Sequence, residues 1–332
     1  MADDPLRLAA SLVDTGRVDA VQIAWRRAGE TTSAACGCGP DDRFALASLA
    51  KPVIALACVV AAQSGALDLD GSVRRHLPEA AAEATIRELL AHAGGLPADD
   101  AGARRVQVDP GSTWTEVANA YANVAPVAVP RTRRIYSNAG YALAASALER
   151  ATATDYRTLV DRLILDPLGL TRTSFGDDGG ALMVRDPGLL GHGEQLFNGR
   201  RFRALGLPQS GLFGTASDYL ALLDAIADDR LGDCAALRTS QCGALPGGVG
   251  GFMEWGVCDW AVGLEVRAAK SPHWTGAALS SGALTHFGAA GVLCVIDPAR
   301  DLRAVVLANR GTYGGWMLEP GGWPDICAAL VA

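Results

Sequence analysis

Ser48 and Lys51, two side chains that could act as a nucleophile and its base, lie three residues apart in the stretch ASLAKPV (47–53). On a helix, residues three apart are neighbours on one face. A serine hydroxyl is a weak nucleophile until an adjacent base takes its proton. The spacing therefore indicates a nucleophilic serine with a lysine base. A lysine that extends its ammonium into water from a helix start would give the same spacing, so this alternative stays open.

Lysine is rare in this sequence: among 29 Lys and Arg residues, only Lys51 and Lys270 are lysines. An arginine cannot be deprotonated in a protein, so it could not serve as a base. A lysine serves as a base only when it is neutral, and burial lowers its pKa. The segment around Lys51, FALASLAKPVIALACVV (44–60), is strongly apolar. These observations favour the base over a surface lysine.

The helix that must position both side chains is predicted over residues 48–64, an Ala-rich apolar segment that ends at Gly65. Pro52 fits the first helical turn, where a missing N–H would have had no partner. The start of a helix also offers unpaired N–H groups and the positive end of its dipole. Such an environment suits an anion that develops on a substrate next to Ser48.

The remaining patterns predict an α/β protein of the α+β type. Strand patterns lie near both chain ends, at 19–28, 31–38, 260–267, 291–296 and 302–308. Helical patterns lie between them and at the C-terminus, at 85–92, 139–152, 154–164, 216–228 and about 323–331. We therefore expect one antiparallel sheet flanked by helices in a lobe made of residues 1–75 and 255–332. Residues 76–254 would form a mostly helical lobe, with the active site between the two lobes.

Composition argues against several classes of partner. The net charge of −7 disfavours a nucleic-acid binder. The longest apolar run, 53–62, is too short to span a membrane. The start, MADDPLRLAASLVDTG, lacks the basic and apolar regions of an export signal, which predicts a cytoplasmic location. No H-x-H, H-E-x-x-H or C-x-x-C motif occurs, so we expect no metal and no cofactor.

Four further segments follow the S-x-x-K motif along the chain. They are ELLAHAGGLP (88–97), YSN (136–138), SGLFGTASDYLALL (210–223) and LTHFGAAGVLCVIDPARDLRAVVLANR (284–310). Together they resemble the serine β-lactamase and penicillin-binding-protein superfamily, most of all its class-C-like and esterase-like branch. The resemblance runs from about residue 19 to 312. Each motif alone is weak, but the ordered set is specific.

The resemblance implies a role for each matching residue of the first two motifs. Ser48 would attack a carbonyl and become acylated, while Lys51 and Tyr136 would share the proton transfer. Which of the two is the general base stays open. Asn138 would hydrogen-bond to Lys51 or to a substrate amide. The histidine of the first segment, His92, would be structural.

The third motif departs from the family pattern. His286, Phe287 and Gly288 stand where the family has K-T-G or H-T-G on an edge-facing strand, as part of the substrate-binding site. The backbone N–H groups of Ala289 and Ser48 would form the oxyanion hole. Phe287 offers no hydrogen bond and His286 is about neutral at pH 7, so recognition of a carboxylate should be weak. An apolar acyl or alcohol group would fit better.

These observations favour a serine hydrolase with a covalent acyl-enzyme on Ser48, acting as an esterase, amidase or acyltransferase on a small acyl substrate. A true β-lactamase or D-Ala-D-Ala carboxypeptidase is the first alternative. A catalytically degenerate homologue that binds a ligand is the second. An ordinary α/β-hydrolase is disfavoured because no G-x-S-x-G motif occurs. The sequence leaves the oligomeric state open.

Overall fold

In the computed structural model, which describes residues 4–109, 111–186 and 197–332, both ends of the chain meet in one six-stranded sheet. The strands, numbered along the chain, are β1 (Val21–Arg27), β2 (Glu30–Cys36), β3 (Phe44–Ala45), β4 (Arg134–Ile135), β5 (Ser174–Phe175), β6 (Leu212–Gly214), β7 (Gly247–Val249), β8 (Met253–Trp255), β9 (Glu265–Val266), β10 (Leu284–Gly288), β11 (Val292–Asp297) and β12 (Leu302–Ala308). The large sheet has the order β2-β1-β12-β11-β10-β9, and every pairing in it is antiparallel. Two three-stranded sheets have the orders β3-β6-β5 and β4-β7-β8. The predicted α+β fold, with a sheet drawn from both termini, is confirmed.

Helices surround this sheet. They are α1 (Pro5–Asp14), α2 (Ala50–Gln63), α3 (Ile86–Leu90), α4 (Ala101–Val108), α5 (Trp114–Ala122), α6 (Asn138–Thr152), α7 (Tyr156–Val160), α8 (Asp166–Leu168), α9 (Arg200–Leu205), α10 (Ala216–Ala227), α11 (Ala235–Arg238) and α12 (Trp323–Val331). A π-helical turn, Asp161–Leu165, joins α7 to α8. The described part of the chain contains no helix that is both long enough and apolar enough to cross a bilayer.

The hairpin of β1 and β2 forms where the sequence predicted it. Its two-residue turn, Ala28 and Gly29, has positive φ at both positions (50° and 81°). This geometry is that of the turns whose twist matches the twist of paired strands. The turn fixes the register in which Val21 faces Cys36.

Alternate residues of the central strands enter two separate cores, because successive side chains of a strand point to opposite faces. On one face, Val305 and Leu307 of β12 join the core that also contains α2, α6 and α10. On the other face, Ala304 and Val306 of the same strand pack with α1 and α12. Both faces are covered, which explains why β11 and β12 are apolar without alternation.

Two predicted elements differ most from the structure. The predicted strand 260–267 is reduced to β9, because Ala261 and Leu264 form a turn closed by the Ala261 N–H and the Leu264 carbonyl at 2.7 Å. The helix predicted over 154–164 is α7 followed by the π-helical turn. The division into lobes at residues 75 and 255 stays a prediction. One helix of the 76–254 range, α10, packs on β1 and β12 of the large sheet.

Asn309, which follows β12, ties the two ends of the chain together. Its Oδ1 accepts the N–H groups of Asp19 (3.1 Å) and Ala20 (2.8 Å), and its Nδ2 donates to the Met183 carbonyl (3.1 Å). We expect Asn309→Ala to lower the free energy of unfolding by about 2 kcal/mol, because the buried Ala20 N–H and the partly buried Asp19 N–H lose their acceptor. Urea titration measures this. A change no larger than that of the exposed control Asn119→Ala would contradict the expectation.

Candidate active site

The residue predicted to be the nucleophile, Ser48, lies on a tight turn between β3 and α2. The turn is a 3-10 helix, Ala47–Leu49, and Ala47 has a φ of +47°, a conformation that is costly for a residue with a side chain. Both ends of the turn are held by hydrogen bonds. The Leu46 N–H donates to the Leu212 carbonyl (2.9 Å), and the Tyr219 hydroxyl donates to the Leu49 carbonyl (2.8 Å). Ser48 is thereby directed into a cavity of about 260 Å³.

Lys51 is fully buried in the first turn of α2, at 0% exposure. Its Nζ donates to the Ser48 Oγ (3.1 Å) and to the backbone carbonyl of Gln209 (2.9 Å). Within the described residues no carboxylate lies at ion-pair distance from this amine. Burial lowers the pKa of Lys51 from about 10.5 to about 7, because the charged form loses its hydration.

Tyr136 lies between β4 and α6 and completes the contacts around Ser48. Its ring centre is 4.9 Å from the Lys51 Nζ. Burial raises the pKa of the Tyr136 phenol well above its usual value, and the neighbouring Ser48 side chain opposes this rise only in part. The structure thus brings together the three residues that the sequence predicted to be catalytic.

Asn138, the first residue of α6, lines the same cavity as Ser48. The sequence left two partners open for it, Lys51 or a substrate amide. The hydrogen bonds described for the Lys51 Nζ go to Ser48 and Gln209 instead. Asn138 therefore does not bind Lys51, and its contact with a substrate amide stays a prediction.

The third motif lies on β10, next to the turn that carries Ser48. Strand β9 pairs only with Leu284 and Thr285, so it does not cover the edge of β10 beyond them. Gly288 packs so closely on this turn that a Cβ there would lie 2.6 Å from the Leu46 carbonyl oxygen. A glycine at this position lets the strand approach the nucleophile. Ala289, the next residue, lines the cavity.

The predicted substrate contact of His286 needs correction. The side chain is buried, at 2% exposure, and it does not line the cavity. It lies behind Tyr136, with ring centres 5.8 Å apart, and its Nδ1 donates to the Phe287 carbonyl (2.9 Å). Burial, and then the nearby Lys51 charge, lower the pKa of His286 to about 3. The imidazole is therefore neutral, as the sequence indicated, but it faces the interior.

The other members of the motif also differ in part from the prediction. Gly288 acts through close packing and does not line the cavity. Phe287 does line it, and its ring packs against Phe252 (5.2 Å) and Trp274 (5.0 Å). A strand alternates its faces, so His286 and Phe287 cannot both point toward one site.

Sequence reasoning missed more than half of the cavity lining. The additional residues are Ala47, Asp99, Arg104, Gln107, Phe197, Gln209, Ser210, Val249 and Tyr313. Most of them come from loops and short elements, which show no hydrophobic period. Ala47 and Ser210 lie in quoted motifs, at the start of ASLAKPV and of SGLFGTASDYLALL, and Gln209 directly precedes the second. Asp99 and Arg104 form an ion pair (2.8 Å) at the cavity rim.

Comparison with known proteins agrees with the fold and the motifs. A family model described as Beta-lactamase matches residues 7–315, so the chain belongs to this family of hydrolases. Esterase EstB from Burkholderia gladioli is 28% identical over 329 residues, which cover 82% of this chain and 79% of that protein. Unguisins hydrolase ungD from Aspergillus violaceofuscus is 33% identical over 96 residues. That match covers 29% of this chain and only 17% of the relative.

Solved structures show the same fold across nearly the whole chain. A β-lactamase from Mycobacterium bovis superposes with a TM-score of 0.72 at 27% identity, covering 96% of this chain and 97% of that one. EstCE1, described as a hydrolase with promiscuous acyltransferase activity, has a TM-score of 0.79 at 22% identity, with 99% and 97% covered. Because EstCE1 is only 22% identical to this chain, the comparison with it shows a shared fold and no more.

Gly288→Ala tests the close approach of β10 to the Ser48 turn. Its Cβ would also lie 2.7 Å from the Val292 Cγ2, so the strand must shift. We expect a loss of about 1–3 kcal/mol of stability and a fall of about 10²-fold in hydrolysis of short acyl esters. Thermal unfolding and initial rates measure both effects. Gly282→Ala is the matched control, because its nearest contact would be Ser280 at 3.9 Å. Wild-type rates for Gly288→Ala would contradict the account.

Proposed function

We propose that this chain is a serine hydrolase that forms a covalent acyl-enzyme on Ser48 and acts on small neutral esters and amides. One observation carries the proposal: the Lys51 Nζ lies 3.1 Å from the Ser48 Oγ, in a buried site without a neighbouring carboxylate in the described part of the chain. An ordinary structural lysine would be paired or exposed. A base for serine needs this burial.

Lys51 is the general base in this proposal. With a pKa of about 7, a large fraction of the amine is neutral at physiological pH and accepts the Ser48 proton. As that proton leaves, the Ser48 oxygen forms a bond to the substrate carbonyl carbon, and the carbonyl oxygen takes the negative charge. Tyr136 has a raised pKa and stays a phenol. It is the donor that protonates the leaving alcohol or amine, and the proton held by Lys51 restores the phenol.

The negative charge would be stabilised by the backbone N–H groups of Ser48 and Ala289. Both residues line the cavity, and the close packing of Gly288 on the Ser48 turn holds their two segments together. One such donor is typically worth about 10²–10³ in rate. Water then attacks the acyl-enzyme in hydrolysis, and an alcohol or amine takes its place in acyl transfer.

Charge in the cavity supports a neutral substrate. The charged side chains of its described lining are Asp99 and Arg104, which neutralise each other. His286 is neutral and buried, so it cannot hold a carboxylate. EstB, a relative that is similar over most of both chains, carries the name esterase. These points favour an ester over a penicillin or a peptide C-terminus.

A true β-lactamase remains the second candidate, because the Mycobacterium bovis protein that shares the fold at 27% identity is described as one. A non-catalytic binding protein is less well supported. Such a protein has no need for the mutual contacts of Ser48, Lys51 and Tyr136.

Substrate preference and the role of Ser48 can be tested together. We expect the kcat/KM for p-nitrophenyl acetate or butyrate to exceed that for nitrocefin at least tenfold, with D-amino-acid amides as a third class. Ser48→Ala should lose at least about 10³-fold, since the nucleophile is gone. Intact-mass measurement after a fluorophosphonate should show one adduct on wild type and none on Ser48→Ala. Full activity of Ser48→Ala would overturn the mechanism, and a tenfold preference for the cephalosporin would favour the β-lactamase.

The pH dependence follows from the direction of the Lys51 shift. The protonated amine cannot accept a proton, so kcat/KM should rise about tenfold per pH unit below 7 and level off above it. Initial rates from pH 5 to 9 measure the profile. Lys51→Arg keeps a positive charge but cannot become neutral, so it should lose at least about 10³-fold in rate. A folded Lys51→Arg variant with the wild-type profile would exclude Lys51 as the base.

A further inference from the structure

We propose that His92 is a positioning residue that fixes Tyr136 beside Ser48, a role that rests on the proposed function of Tyr136. His92 follows α3 and is buried, at 2% exposure. It does not line the cavity. It therefore acts on the reaction through Tyr136 and not through the substrate.

His92 holds the backbone on both sides of Tyr136. The Ile135 N–H donates to the His92 carbonyl (2.9 Å), and the Ser137 N–H donates to the His92 Nδ1 (3.0 Å). The imidazole also packs on the phenol ring, with centres 4.4 Å apart and planes inclined by 35°. One residue thus restrains the two flanking backbone amides and one face of the Tyr136 ring.

The protonation state of His92 suits this contact. Because the Ser137 N–H is a donor, the Nδ1 must present its lone pair, and the ring proton is on Nε2. Burial, and then the charges of Lys51 and of other neighbours, hold the pKa of His92 well below its usual value. The imidazole stays neutral and keeps its acceptor. In a protonated imidazole the Nδ1 would carry a hydrogen, which would point at the hydrogen of the Ser137 N–H.

The backbone of His92 restricts which substitutions it tolerates. Its φ is +56°, in the left-handed region that few residues other than glycine adopt, although histidine is among those enriched there. Glycine and asparagine adopt this conformation easily. His92→Gly and His92→Asn are therefore a matched pair of substitutions. Both variants can adopt the backbone conformation of His92 and both lack the imidazole ring. Only asparagine offers a side-chain oxygen near the former position of the Nδ1.

The experiment compares His92→Gly with His92→Asn. We expect His92→Gly to lower kcat for an alkyl ester such as ethyl butyrate at least 20-fold, with KM within threefold of wild type, because Tyr136 loses its orientation toward the leaving alkoxide and the cavity is unchanged. A fluorophosphonate, whose fluoride leaves without a proton, should label Ser48 at a rate within threefold of wild type. His92→Asn should restore kcat for the alkyl ester to within about fivefold of wild type. Near-ultraviolet circular dichroism confirms that each variant is folded.

Several results would overturn the proposal. They are a wild-type kcat for His92→Gly, a loss that appears in KM, or a folded His92→Asn as slow as His92→Gly. If His92→Gly does not fold, the rates of folded His92→Asn decide alone. In a Tyr136→Phe background, His92→Gly should add less than threefold, and an undiminished loss would contradict action through Tyr136. No labelling of wild-type Ser48 would instead overturn the proposed function.

Discussion

The rest of the structure depends on the burial of one amine beside one hydroxyl. Lys51 lies in the apolar core, and the partners described for its Nζ are all neutral: the Ser48 hydroxyl, the Gln209 carbonyl and the rings of Tyr136 and Tyr141. A carboxylate at this position would raise the pKa of the amine and keep it protonated. The absence of such a partner in the described surroundings matters as much as the burial. Helix α2 is apolar nearly all round because it is buried in the core on all sides, and Lys51 is buried with it.

The neutral state of the third motif follows from the same constraint. His286 is buried close enough for the Lys51 charge to lower its pKa, and the influence of two such groups is mutual. A permanent cation there would disfavour protonation of Lys51 further, but a buried cation without a partner is costly. A neutral imidazole avoids this cost. It also leaves this position without a positive charge that could hold a carboxylate.

The features that could be predicted from the sequence are those with a local pattern. Ser48 and Lys51 share a helical spacing, and β12 is an apolar run between turn residues. Even α1, which was not predicted, has a readable start, since Asp4 caps it and Pro5 is its first residue. The resemblance to the family also implied that Tyr136 and β10 would meet at Ser48, although Tyr136 and the start of β10 are more than 140 residues apart.

The features that could not be predicted depend on tertiary geometry. The orientation of His286 follows from which face of β10 meets Tyr136, and a three-residue motif does not encode it. Arg104 and Asp99 reach the cavity from α4 and its preceding loop, whose sequence shows no clear apolar period. The contact of Gln209 with Lys51 uses a backbone carbonyl, which any residue could supply. The cavity lining therefore comes largely from parts of the chain with a weak sequence signal.

Burial of Lys51 also opposes the stability of the fold. Its pKa in the folded chain, about 7, lies below the ordinary value of 10.5, so between these pH values the unfolded chain binds more protons. The free energy of unfolding therefore rises as the pH increases from about 7 to 10.5. Below about pH 7, the buried Lys51 lowers the free energy of unfolding by its full amount. A shift of this size corresponds to roughly 5 kcal/mol. The apolar packing of α2 and α6 in the surrounding core contributes stability that offsets this cost.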